Sequence, residues 1–240
     1  MKAVILAAGK GTRMKELTAN LPKPMVQVRG KPILEWIISG LRDHAGVRQV
    51  FIIIGYQGDV IRDYFGNGDK FGVDIEYGIQ EEQNGTGKAP EVARNWVARD
   101  SFLLTYGDIY LSDPAAYASI VGAWQPETDD ALIAVKTAED LSKVGAVFLD
   151  LYDHMSQLIE KGNFPKKPSN AYANAGIYIF TPRIFTYTEE LHISPRGEYE
   201  LTDALRAMLD DNAKIRGVRL KQNWVDVRDP ETVAELNQEK

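Results

Sequence analysis

The sequence predicts an α/β protein built on a doubly wound mixed sheet, and three observations carry that prediction. Short β-rich apolar runs recur at 3–8, 49–54, 73–77 and 101–106, with amphipathic helical stretches between the earlier ones. The run QVFIII at 49–54 has no polar alternation, as expected of a strand covered on both faces in a parallel sheet. The first run empties into Gly9-Lys10-Gly11, placing a glycine loop at the carboxyl edge where such sheets bind ligands.

Taken in order, the stretch KAVILAAGKGTRM gives a strand and then a sharp turn whose N–H groups converge, a geometry that cradles phosphate. Lys10 and Arg13 add positive charge that suits a triphosphate better than a single carboxylate. A Walker-type loop needs glycine where Val4 stands, and a dinucleotide fingerprint needs its third glycine where Met14 stands, so both are excluded. Ten residues after Arg13 comes Lys23, inside Pro22-Lys23-Pro24.

Residues 25–28 read as a short extended piece. Residues 32–42 read as a helix with Ile33, Trp36, Ile37 and Leu41 on one face, Trp36 being core. A helix is expected at 59–65. Another runs to about residue 98, with Gly85 and Gly87 at its start allowing close backbone approach to a flat ligand. Further on, a helix is expected at 114–124, a strand at 130–135 and a hairpin from 144–149 to 155–160. The segment 162–171 is the most loop-like, basic and stiffened by prolines. A strand at 172–180 follows, then a helix to about residue 209. Thr202 and Asp203 are expected to satisfy its free N–H groups or to contact a ligand. Strands at 218–220 and 224–227 precede a last helix that Asp229 caps ahead of Pro230.

The stretches LAAGKGTRM, LPKPMV and GKPILEWII resemble the sugar-1-phosphate nucleotidylyltransferases, also called nucleotide-sugar pyrophosphorylases. The resemblance implies a Rossmann-like fold with a sugar-binding half inserted after the nucleotide-binding half. It implies one domain over 1–240: 1–112 mainly for nucleotide, 113–227 mainly for sugar phosphate, and a C-terminal helix over 228–240. The implied reaction joins a nucleoside triphosphate and a sugar 1-phosphate into a nucleotide-sugar and pyrophosphate. UTP or dTTP is favoured, because guanosine- and adenosine-using members more often carry paired glycines in the first loop.

By the same resemblance, Leu6, Ala7, Ala8, Gly9, Lys10, Gly11, Thr12 and Arg13 hold the nucleotide, with Gln80, Gly85 and Thr86 at the base. Asp108 and Asp226 hold Mg2+, which typically takes only one or two protein carboxylates beside phosphate oxygens. Arg13, Lys23, Asp108 and Lys161 are the catalytic set. Gly145, Glu160, Lys161, Asn174 and Gly176 receive the sugar phosphate, Gly176 by leaving room for the ring. Three positions depart from the family pattern: Lys88, open to contact with a phosphate or an acidic sugar and equally to a role as a solvated helix residue; Ile109, which leaves unfilled a contact that a polar side chain often makes; and Arg228-Asp229 in place of a Gly-Thr pair.

Composition narrows the field. The chain of 240 residues has no cysteine, which excludes disulfides, thiolate zinc sites and a thiol nucleophile. A net charge of −6 argues against a general nucleic-acid or anionic-membrane surface. No apolar stretch reaches membrane-spanning length and no secretory signal is seen, so a cytoplasmic protein is expected. No hexapeptide β-helix repeat follows the catalytic region, so the single-domain form of the family is expected, as a possible homo-oligomer. The competing readings are a nucleotidyltransferase acting on a non-sugar phosphate such as phosphocholine, and a regulatory relative that binds nucleotide-sugars without making them. His44, His154 and His192 show no ligand spacing.

Overall fold

The computed structural model describes residues 1–138, 140–141, 144–160, 168–221 and 224–238. The chain runs β1 (Lys2–Ala7), a short pair β2 (Gln27–Val28) and β3 (Lys31–Pro32), α1 (Ile33–Ala45), β4 (Gln49–Ile54), α2 (Gly58–Phe65) and β5 (Asp74–Ile79). There follow α3 (Arg94–Val97), β6 (Phe102–Tyr106), β7 (Ile109–Leu111), α4 (Ala116–Ala123), β8 (Ala131–Lys136), β9 (Gly145–Leu149) and β10 (Met155–Glu160). The last elements are β11 (Ala171–Phe180), α5 (Ile184–Glu189), α6 (Leu201–Asp210), β12 (Ile215–Arg219), β13 (Trp224–Asp226) and α7 (Pro230–Gln238).

The sheet is mixed, as the sequence predicts. Strands β6, β1, β4 and β5 are parallel neighbours, with Leu6 opposite both Ile53 and Tyr106. On the other side β11 runs antiparallel to β6 and carries the sheet on to β9, β10 and β8, and β12 pairs parallel with β8. Side chains alternate between two apolar layers. Ile5, Ile52 and Ile177 pack toward α1 and α4, whereas Val4, Leu104 and Tyr178 pack toward α5 and α6. Along β11 the register against β8 shifts between Asn174 and Tyr178, and Gly176 there adopts φ 68°, so the strand bends where it passes the end of β6.

Some expectations needed adjustment. Trp36 is half-buried at the rim, its indole N–H donating to the Val28 carbonyl at 2.8 Å and its ring edge-on to Tyr110. The helix expected after residue 88 is a 3-10 turn over 89–93 followed by the single turn of α3. Thr202 and Asp203 do not cap α6. The Thr202 hydroxyl is buried without a partner and Asp203 pairs with Arg206. Asp229 does cap α7, accepting from the Thr232 backbone N–H at 2.9 Å. No helix among the described residues is long and apolar enough to cross a membrane.

Three tyrosines, Tyr106, Tyr117 and Tyr178, are buried deeply enough that burial pushes their hydroxyls up, Tyr106 to about 12; Tyr77 is also raised to about 12. An unfolded tyrosine ionises near pH 10, so above that pH the folded chain binds more protons than the unfolded one and stability falls as pH rises. The melting temperature is expected to hold up to about pH 10 and to drop between about pH 10 and 12, together with the appearance of tyrosinate absorbance. A melting temperature flat to pH 11.5 would contradict this.

Candidate active site

The loop after β1 is held from below. Gly11 has φ 62°, a left-handed conformation that favours glycine, and a Cβ there would lie 2.9 Å from the Cβ of Lys23. Its carbonyl accepts from the Thr18 hydroxyl at 3.0 Å and from the Met14 N–H at 2.9 Å, while the Met14 side chain is fully buried. Residues 8–11 are thereby turned over the end of β1, with Lys10 and Arg13 exposed beside them. A cavity of about 430 Å³ opens above the loop, within the usual size range of small-molecule sites. It is lined by Leu6 to Arg13, Lys23, Gln80, Gly85, Thr86 and Asp108, all expected there from sequence, and also by Gln83, Tyr106, Glu198 and Arg228, for which sequence reasoning had no place in the site.

At the foot of this cavity two carboxylates meet one lysine. Asp108 follows β6 and Asp226 ends β13; β13 pairs with β7 so that Asp226 is opposite Ile109, and the Val227 N–H donates to the Asp108 carbonyl at 3.0 Å. Residues more than a hundred positions apart are thus fixed side by side by backbone. Lys23, 9% exposed, donates its Nζ to Asp108 Oδ2 and to Asp226 Oδ1, the latter at 3.4 Å. Burial first, then the charge of Asp108, pushes the Asp226 carboxyl up, against the pull of Lys23 and Arg13. The pair carries one negative charge more than Lys23 neutralises. Among the described residues no third His, Cys, Asp or Glu joins them, a donor set that suits Mg2+ completed by phosphate oxygens. Ile109 is part of the core, 1% exposed.

The base side is organised by a segment far along the chain. The Tyr199 N–H donates to the Asn84 carbonyl and the Gly87 N–H donates to the Tyr199 carbonyl, both at 2.8 Å, and the Leu201 N–H donates to the Thr86 hydroxyl at 3.3 Å. Gln80 braces the same loop, its amide nitrogen donating to the Gly85 carbonyl at 3.1 Å. Lys88 is engaged within the protein. Its ammonium donates to Glu91 at 3.2 Å and to the Glu189 carbonyl at 3.0 Å and lies over the Tyr199 ring, so it braces α5 against this loop.

On the far side of Tyr106, Gly145, Glu160 and Asn174 come together. A Cβ on Gly145 would meet Glu160 Oε1 at 2.8 Å and the Asn174 Cβ at 3.7 Å. The Asn174 amide nitrogen donates to the Tyr178 hydroxyl at 2.7 Å, and its oxygen accepts from the Gly176 N–H at 2.9 Å. The Tyr178 and Tyr106 hydroxyls are 3.3 Å apart, and Tyr106 in turn hydrogen-bonds Thr86, so a buried polar chain joins Asn174 to the base loop. At Gly176, φ 68°, a Cβ would meet the Tyr106 ring and the Ile109 side chain, so glycine is required there by the protein's own packing. Lys161 and residues 162–167 of the basic loop lie outside the described residues.

Of the residues that sequence reasoning missed, only Arg228 had a visible signal, as a departure from the family pattern. Tyr106 and Tyr178 read as ordinary strand aromatics.

Comparison with known proteins places the chain in a family. The family model for nucleotidyl transferases matches residues 2–240. The chain is 38% identical over 243 residues to the bifunctional protein GlmU of Methanococcus maripaludis, covering 99% of this chain and 54% of that protein. It is 34% identical to a bifunctional sugar-1-phosphate nucleotidylyltransferase/acetyltransferase of Sulfurisphaera tokodaii, covering 99% and 55%. The chain therefore spans about half the length of these curated relatives. Among solved structures, a putative glucose-1-phosphate thymidylyltransferase of Bacillus anthracis, in complex with a sucrose, superposes with a TM-score of 0.84 at 27% identity, covering 99% of this chain and 94% of that one.

Proposed function

This chain belongs to the nucleotidyl transferase family, and on that premise we propose that it transfers a nucleotidyl group from a nucleoside triphosphate to a sugar 1-phosphate, releasing pyrophosphate. The observation that carries the proposal is Lys23 set between Asp108 and Asp226 beneath the glycine loop. The loop N–H groups, Lys10 and Arg13 would receive the triphosphate, with Arg13 stabilising the departing pyrophosphate. Asp108 and Asp226 would hold Mg2+, which when bound neutralises charge at the α-phosphate. Gln80, Gly85 and Thr86 would receive the base, with UTP or dTTP preferred. Glu160, Asn174 and Lys161 would receive the sugar phosphate. A phosphate monoester carries a charge of roughly −1.5 to −2 near neutrality, so its oxygen attacks without a general base. Catalysis is then alignment and charge neutralisation, with attacking and leaving oxygens in line. We assign the nucleotide half to 1–112 and the sugar-phosphate half to 113–227, and a cytoplasmic setting fits such substrates.

The test is pyrophosphate release in Mg2+, crossing UTP, dTTP, CTP, GTP and ATP with sugar 1-phosphates that include N-acetylated and acidic sugars. Release that needs both substrates and is fastest with UTP or dTTP is the expected result. No release with any pair, from folded protein that still binds nucleotide, would sink the proposal.

Gly9 offers a finer check. It lines the cavity, its φ is not left-handed, and a Cβ there would meet no atom within 4 Å. Gly9→Ala is therefore expected to leave the melting temperature unchanged while a methyl group in the path of the triphosphate weakens NTP affinity about tenfold, the value of one lost hydrogen bond. Unchanged affinity would place the triphosphate elsewhere.

A further inference from the structure

Tyr178 is fully buried on β11, stacked on Phe180 and edge-on to Tyr106, so its hydroxyl has a fixed place in the sheet. The direction of the hydrogen bonds around it follows from the groups at the two ends of the polar chain. At one end the Gly176 N–H donates to the Asn174 side-chain oxygen at 2.9 Å, which fixes the amide with its nitrogen toward Tyr178. An amide nitrogen only donates, so the Tyr178 oxygen, 2.7 Å away, is the acceptor. The Tyr178 hydrogen is then directed to the Tyr106 hydroxyl at 3.3 Å, because a donor left unpaired in an apolar layer is costly. That engages the Tyr106 oxygen and turns the Tyr106 hydrogen to Thr86, its other hydrogen-bond partner. At the far end the Thr86 oxygen also receives the Leu201 N–H at 3.3 Å. By this count every hydroxyl oxygen of the chain accepts, and one hydrogen, that of Thr86, is left over. Tyr106 and Thr86 both line the nucleotide cavity.

We propose that Tyr178 is a positioning residue for nucleotide recognition: by turning the Tyr106 hydrogen outward, it makes Thr86 a hydrogen-bond donor to an oxygen of the bound nucleoside triphosphate. The inference rests on the reaction proposed above, which puts a nucleotide in this cavity. Tyr178 is 0% exposed and does not line the cavity, so it acts only through the Tyr106 hydroxyl. Without the Tyr178 hydroxyl, the Tyr106 hydrogen is free to turn into the vacated space. Thr86 then donates inward to the Tyr106 oxygen, and the cavity loses its donor. A nucleotide selected by this donor carries an oxygen where it meets Thr86, a carbonyl or hydroxyl rather than an amino group.

Tyr178→Phe keeps the ring and removes only the hydroxyl. Calorimetric titration with UTP, dTTP, CTP, GTP and ATP in Mg2+, without a sugar phosphate, first identifies the nucleotide that wild type binds most tightly. For that nucleotide Tyr178→Phe is expected to bind about fivefold more weakly, the scale of one hydrogen bond. The decisive comparison is made in a Tyr106→Phe background, where the chain is already cut. There Tyr178→Phe should change affinity by less than about twofold, because the two residues act as one unit. Tyr117→Phe removes a hydroxyl equally buried in the other apolar layer; it is the control for core perturbation and should bind as wild type does. A folded Tyr178→Phe protein with wild-type affinity overturns the proposal. So does an equal loss in both backgrounds, which would make Tyr178 a structural support of the sheet. Wild type that binds no nucleotide overturns this inference together with the reaction proposed above, whereas wild type that binds one and is matched by Tyr178→Phe removes this inference alone.

Discussion

Asp108→Asn is expected to give a folded protein whose pyrophosphate release falls about a thousandfold or more, the scale set by losing a metal-stabilised transition state. The substitution is isosteric, so the turn after β6 and the backbone bond from Val227 survive. What disappears is one of the two negative charges that would hold Mg2+. Stability should move the other way. Wild type sets two carboxylates against one lysine, with Asp226 already pushed up by burial and by Asp108. In metal-free buffer Asp108→Asn leaves one charge of each sign, so its melting temperature should equal or exceed that of wild type. Mg2+ with NTP should then stabilise wild type and leave the variant's melting temperature nearly unchanged. Full turnover by the variant would remove Asp108 from the catalytic centre; a collapse in stability would make it a structural turn residue instead.

How much of this was legible in the sequence depended on whether a feature was local. The glycine loop and Asp108 were readable because each directly follows an apolar strand, and the end of a strand in such a sheet is already a ligand edge, whereas Lys23 was readable from Pro22-Lys23-Pro24 and its spacing from Arg13. Asp226 was readable only through resemblance; what brings it to Asp108 is the pairing of three-residue strands, β7 and β13, that no periodicity reveals. The sequence left Lys88 open between a ligand contact and a solvated helix residue, because apart from Glu91 its partners are a backbone carbonyl on α5 and the face of Tyr199, each about a hundred residues away. Gly176 packs under the protein's own Tyr106, a reason for glycine that the sequence does not display. The hold of Tyr199 on the base loop was not legible, since its contacts are made by backbone groups that every residue carries.

That backbone clasp is open to a direct test at Gly85. The residue has φ 120°, and a Cβ built on it would lie 2.7 Å from the Tyr199 nitrogen and 3.0 Å from its carbonyl carbon, atoms that cannot swing aside as a side chain would. Gly85→Ala must force residues 84–87 and 199 apart, straining a disfavoured conformation and breaking one or both 2.8 Å bonds that join them. The expected cost is roughly 2–4 kcal/mol, from backbone strain plus lost hydrogen bonds. For a chain of this size that lowers the melting temperature by about 5–12 °C. Gly46→Ala serves as the control. Gly46 also has a left-handed φ, 66°, but a Cβ there meets nothing within 4 Å, so only the conformational cost of about 1 kcal/mol applies and activity should be kept. Gly85→Ala should instead lose NTP affinity beyond its loss of stability, because Gln80 and Thr86 are both anchored to the displaced segment. Should the two variants melt alike and bind NTP alike, the contact between 84–87 and 199 would not be what shapes the base side of the cavity. If Gly85→Ala alone fails in binding while folded, a segment more than a hundred residues away sets the form of the nucleotide site, and any change along 198–201 becomes a change in nucleotide recognition.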